Sequence, residues 1–179
     1  MDTMTCIRTR RSIRKFTEQP VSRDSIRAIV EAASYAPSWK NTQVTRYIAV
    51  DDAALKEKIA AECCEDHNAA IIRSAPVLVA TTMVEKRSGY ERDGSYTTEK
   101  KDGWQMYDCG CAGQTFCLAA HELGLGTVIM GIFDPDKASA LLEVPEGQLI
   151  CALIAVGYPE AEAPVPRKKT VDDLLSFRG

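Results

Sequence analysis

The segment Arg10-Arg11-Ser12-Ile13-Arg14 has the residue types and spacing most suited to chemistry. Along extended backbone the side chains alternate, so Arg10, Ser12 and Arg14 project to one side. Two guanidiniums and a hydroxyl then converge on a patch that matches the oxygens of a phosphate monoester. A second basic cluster, Arg167-Lys168-Lys169, completes that patch if the tail folds back. The competing reading is two solvated basic runs, the ordinary fate of charge clusters. The loop Pro37-Ser38-Trp39-Lys40-Asn41-Thr42-Gln43 sets amide, hydroxyl and amine donors beside an indole. Such a loop can face a planar heterocycle, or it can simply cap a helix before a strand.

The seven cysteines invite a metal or thiol reading, and helical geometry weakens it. Cys109 and Cys111 point about 200° apart on a continuous helix, and Cys117 lies about 12 Å beyond Cys109 along its axis. Cys117 and His121, at i and i+4, could meet as nucleophile and base. A small core residue and a partly buried histidine explain them more simply. No phosphate-binding P-loop, GxGxxG fingerprint or HExxH motif is present.

The chain has 22 basic and 25 acidic side chains, a net charge of −3. That balance argues against nonspecific binding to nucleic acid or membrane surfaces. With 45% hydrophobic and 26% charged residues, the chain is not intrinsically disordered. No apolar run reaches the ~18 residues of a membrane span. The N-terminus has no apolar signal core and an odd number of cysteines follows, so a cytoplasmic protein with reduced thiols is expected.

The elements that must hold these residues read as follows. A short helix ends near Arg8, and Ser22 caps a helix through Ser34 with Ile26, Ile29, Val30 and Ala33 on one stripe. Pro37 ends it. A strand runs from Val44 to Val50, then helix from about Asp52 to Ile72, broken near Asp66-His67-Asn68. Pro76 to Val84 is nearly all apolar, as for a strand buried on both faces. Glu85 to Asp102 reads as a mobile loop, and Gly103 to Leu123 as a helix apolar nearly all round, buried against a partner as well as its own core. Thr127 to Met130 and Leu149 to Val156 are strands, with a helix started by Asp134-Pro135 between them. Pro159, Pro164 and Pro166 make the tail an extended arm. With no linker visible, the expectation is one α+β domain over residues 1–179.

Four motifs in order carry a family resemblance: Arg10 to Phe16, Ala36 to Gln43, Ala119 to Thr127 ending at Gly131, and Pro166-Arg167-Lys168. Together, across essentially the whole chain, they resemble the FMN-dependent nitroreductase family. The resemblance implies a sheet flanked by helices in an intertwined homodimer, with two FMN sites at the subunit interface. It implies phosphate held by Arg10, Arg11, Ser12 and Arg14, with Arg167 and Lys169 from the tail. Asn41 and Gln43 match the loop that approaches the flavin, and Pro37, Ser38 and Trp39 the part that a partner subunit lends. Met130 and Gly131 match the strand end beside the ring. The family commonly has a small residue where Trp39 stands, so a narrowed cavity is expected here.

The activity implied is reduction of nitroaromatics, quinones or a related acceptor by NADH or NADPH in a ping-pong cycle. Arg14 and Lys40 would stabilise negative charge on the reduced ring, and no side chain is assigned as an acid or base. Rival readings are a non-catalytic FMN-binding storage or sensing module, a reductive dehalogenase-like or flavin-fragmenting relative, and a cysteine-based redox or metal protein.

Overall fold

The computed structural model describes residues 1–179. Its elements run α1 (Thr3–Thr9), α2 (Arg23–Ala33), β1 (Thr45–Val50), α3 (Ala53–Cys63), α4 (Asp66–Ser74), β2 (Val77–Val84), α5 (Gly103–Glu122), β3 (Gly126–Met130), α6 (Pro135–Leu141), β4 (Gln148–Gly157) and α7 (Val171–Leu174). The helix starts are set by side chains that accept orphan backbone N–H groups. Ser22 Oγ accepts from Ser25 N–H at 3.0 Å, Asp52 from Leu55 at 2.7 Å, and Asp134 from Lys137 at 3.0 Å. Between α3 and α4 the helix breaks at Cys64-Glu65, two residues earlier than the polar run suggested, because Cys64 turns extended.

The sheet is antiparallel throughout, in the order β1-β2-β4-β3. One face carries α3, α4 and α6 through Ile59, Ile72 and Ala138, packed on Leu78, Ala80 and Leu153. The other carries α2 and α5 through Ile29 and Phe116, packed on Val79, Ile154 and Val156. Covered on both faces, β2 needs its nearly all-apolar run, with Thr81 and Thr82 as the buried polar exceptions. Within one chain the burial of α5 is partial. Met106 and Tyr107 are exposed, whereas the polar Gln105 and Asp108 are buried. Residues Glu85 to Asp102 continue from the end of β2 as turns and bends up to α5. Ser88 is fully buried and Trp104 Nε1 donates to Thr98 Oγ1 at 2.8 Å, so hydrogen bonds pin the segment at both ends.

The basic N-terminal segment lies against the sheet. Ile13 N–H donates to the Thr127 carbonyl and Thr17 N–H to that of Tyr158, both at 2.9 Å. Two glycines permit this approach. A Cβ on Gly126 would stand 2.6 Å from Ile13 Cγ1, and one on Gly157 would stand 2.9 Å from Phe16 Cδ1. No helix is long and apolar enough to cross a membrane.

Candidate functional site

A cleft of about 320 Å³ lies along the N-terminal segment, lined by Arg10, Arg11, Ser12 and Arg14 on one side and by Ala163, Pro164, Pro166 and Lys168 on the other. The proline-bearing tail thus folds back over the basic stretch. The tail cation that lines the cleft is Lys168; Arg167 and Lys169 flank it, exposed and outside the lining. None of these four cationic side chains is in an ion pair. Arg11 Nη1 is committed to the carbonyls of Arg8 and Arg10 at 2.6 and 2.8 Å. Arg14 Nη1 makes one long bond of 3.4 Å to the Ser12 carbonyl, and the Arg10 guanidinium makes none. Like charges gathered without a counter-charge repel, so this cradle gains most from an anion with several oxygens.

Its field reaches a neighbouring hollow of about 620 Å³, which shares Arg10 and Arg11 and includes His121. Burial holds the His121 imidazolium pKa below its ordinary value, and the Arg10 and Arg11 charges lower it further. The ring is therefore neutral at neutral pH, and Nε2 meets Thr9 Oγ1 at 2.8 Å rather than Cys117. Cys117 is itself 2% exposed, with its thiol pKa pushed up by burial. The suggested nucleophile–base pair does not form. Inorganic phosphate in the cradle should raise the His121 pKa, because the anion offsets the arginine charges. Titration of His121 by NMR, with and without phosphate, checks this. An unmoved His121 would place the anion elsewhere.

The loop Pro37 to Gln43 is built differently. Lys40, Asn41 and Gln43 have φ of 46°, 54° and 48°, left-handed backbone that side chains rarely adopt and that tertiary contacts must hold. Ser38 Oγ accepts from Gln43 N–H at 2.9 Å, and Arg46 Nη1 donates to the Gln43 carbonyl at 2.6 Å. The anchor is Asp108, 4% exposed, whose carboxylate accepts from Trp39 N–H at 3.0 and 3.1 Å and from Ser88 Oγ at 2.6 Å. These contacts present the Asn41 and Gln43 side chains outward, 3.3 Å apart. Sequence reading missed Asp108 and Ser88. A lone acid facing the core on an otherwise apolar helix was the signal that could have found Asp108.

Trp39 packs on Trp104 with centroids 4.8 Å apart and the rings tilted by 44°, and Trp104 meets the edge of Tyr107 at 5.6 Å. The Trp39 Nε1 donor is buried with no partner. Lys40, a candidate for ring charge, is instead paired with Glu91 at 3.0 Å. Behind the loop a hollow of about 610 Å³ opens between α2 and β1, lined by Pro37, Ser38, Gln43, Tyr47 and Asp108 among others.

The structure does not bring the cradle and this loop together. Ser12 bridges to Thr127 on β3, at the end where Gly157 pairs with Gly126 and Val156 with Val77. The loop leads into Thr45 on β1, at the end where Met83 pairs with Leu149. Three strand spacings across and some seven residues along separate them, roughly 14 Å by 23 Å. They occupy opposite corners of one sheet. Met130 and Gly131 end β3 away from the cradle; Met130 is 4% exposed and belongs to the core, while Gly131 is exposed.

The model of the family described as Nitroreductase family matches residues 7–69 and 62–158. A protein of Methanothermobacter thermautotrophicus, named as an NADH dehydrogenase/NAD(P)H nitroreductase, is 34% identical over 172 residues, covering 93% of this chain and 82% of its own. A crystal structure described as a nitroreductase in complex with FMN, from Desulfovibrio desulfuricans, is 30% identical with a TM-score of 0.77 and covers 100% of this chain and 99% of its own. A BluB-like flavoprotein of Clostridium difficile is 27% identical with a TM-score of 0.81, with 100% of both chains covered.

Proposed function

The chain belongs to the nitroreductase family, and from that premise we propose an NAD(P)H-dependent FMN oxidoreductase, one FMN-binding domain over residues 1–179 that acts as a homodimer in the cytoplasm. The observation that carries the reading is the unpaired cationic cradle of Arg10, Ser12, Arg14 and Lys168. It suits the FMN phosphate, with Arg11 stiffening its floor through backbone carbonyls. FMN held there would supply the redox chemistry between the nicotinamide and an acceptor.

What the chain does is bind and orient. Asn41 and Gln43, held outward by left-handed backbone, offer amide donors and acceptors to the edge of a heterocycle. Trp39, fixed by Asp108 through its backbone N–H, narrows the cavity and keeps water out, with a buried Nε1 donor to spare. Two corners 14 Å by 23 Å apart (roughly, by strand geometry) cannot serve one flavin within a chain, and this supports a second copy lending its Pro37 to Gln43 loop. Exposed Val165, Val171, Leu174 and Phe177 on the tail suit an arm laid on that copy.

One cavity that serves donor and acceptor in turn should give parallel initial-rate plots. The reading is tested by anaerobic addition of NADH or NADPH to the purified protein. Rapid bleaching of the yellow flavin, in a dimer by light scattering, is expected. Bound flavin that nicotinamide does not bleach would leave a storage or sensing module. The similarity to a BluB-like flavoprotein favours a second reading, a flavin-fragmenting relative; stoichiometric loss of flavin during aerobic turnover distinguishes it. Nitroaromatics and quinones are the acceptors proposed.

A further inference from the structure

None of the seven cysteines has a part in the reading above, yet the fold places two of them together. Cys109 sits on the sheet-facing side of α5 and is 5% exposed. Cys151 comes from β4, where that strand carries one residue more than its neighbour: Thr81 pairs with Ala152, but Thr82 pairs with Ile150. The residue between them has no place in the ladder, and a bulge of this kind re-aims a side chain. It brings the Cys151 sulfur within 2.9 Å of the Cys109 sulfur. Thr45 Oγ1 also donates to Cys109 at 3.5 Å. Cys109 is buried, whereas Cys151 is partly exposed, which gives a small reagent a way in.

We propose that Cys109 and Cys151 form a reversible redox dithiol, closed to a disulfide by hydroperoxides and reopened by small thiols. The hydrogen bond from the Cys151 thiol holds the Cys109 pKa below its ordinary value against the effect of burial, which favours Cys109 as the thiolate. Its sulfur attacks one peroxide oxygen. The O–O bond breaks, Cys109 becomes a sulfenic acid, and the other oxygen leaves as water or alcohol with the proton Cys109 gave up. The Cys151 sulfur then attacks the Cys109 sulfur. The S–S bond forms, the S–O bond breaks, and the hydroxyl leaves as water with the Cys151 proton. Two electrons pass from the sulfurs to the peroxide, and two equivalents of a small thiol return them by exchange. The link would tie β4 to α5 one residue from Asp108, the anchor of Trp39.

The test treats the purified full chain with hydrogen peroxide, without nicotinamide, then alkylates and maps it. The wild-type chain is expected to lose about 2 Da, two hydrogens, and to fall from seven alkylatable thiols to five. Tryptic peptides 102–137 and 138–167 should be joined. Cys111→Ser should keep the link, Cys109→Ser should lose it, and Cys151→Ser should trap a sulfenic acid that dimedone labels. Cys109 and Cys151 still alkylatable after treatment, or a link made through Cys111 or Cys117, overturns the proposal on the wild-type protein alone, whatever the variants do.

Discussion

Replacing Arg10 or Arg14 by Ala weakens FMN binding at least about tenfold each, because a charge-assisted hydrogen bond contributes roughly 1.5–3 kcal/mol and each 1.4 kcal/mol is tenfold. The pair of substitutions costs on the order of 100-fold or more, short of strict additivity because both groups address one anion. The prediction rests on availability. Arg10 has no protein partner and Arg14 only a long bond, whereas Arg11 already donates to two carbonyls. Arg11→Ala should therefore weaken binding less than either. Lys58→Ala, an exposed cation of α3 outside the cradle lining, should change nothing. Flavin fluorescence during titration of the apoprotein measures all of these. Equal affinities across the set would place the phosphate outside the cradle.

Gly126→Ala should lower both stability and FMN affinity. Its new methyl would stand 2.6, 2.8 and 3.0 Å from Cγ1, Cβ and Cγ2 of Ile13. Those atoms surround a branched Cβ and cannot swing aside as the end of a long side chain does. The whole basic segment must shift instead. Overpacking of this kind costs about 1–3 kcal/mol, and in a chain of this length each kcal/mol lowers Tm by about 2–4 °C. Because the displaced segment carries Arg10 and Arg14, the cradle loosens with it. Gly110→Ala is the contrast. A Cβ there meets nothing within 4 Å and the residue is helical, so a gain of roughly 0.5–1 kcal/mol is expected. Thermal melts of apoprotein and loaded protein compare the two; a neutral Gly126→Ala would mean the segment is not held against β3.

Local chemistry was readable wherever it acts between near neighbours. Ser22, Asp52 and Asp134 announce helix starts because each side chain reaches an N–H three residues on. The nearly all-apolar run of β2 follows from helices on both faces. Alternation along the basic segment pointed to one shared patch, and Arg10, Ser12 and Arg14 do line one cleft. What spacing could not reveal are contacts made across the chain. Asp108 holds Trp39 from 69 residues away, and Cys151 finds Cys109 from 42 away, through a bulge no pattern marks. Lys168, rather than its basic neighbours, faces the cleft because the prolines beside it fix the direction of the arm. Met106 and Tyr107 of α5 are exposed within one chain. Composition could not divide the helix between its own core and other surfaces, because residue type ranks the faces of a helix only when one face is polar.

The opposite-corner placement of cradle and loop has a genetic consequence. In the proposed dimer each site draws its cradle from one copy and its loop from the other. A chain with a ruined cradle still lends a sound loop to its neighbour, and a chain with a ruined loop still offers a sound cradle. When two such alleles are expressed together, a mixed dimer gathers both defects into one site and leaves the other whole. Two individually inactive alleles can therefore complement each other within a single molecule, whereas two alleles damaged in the same corner cannot.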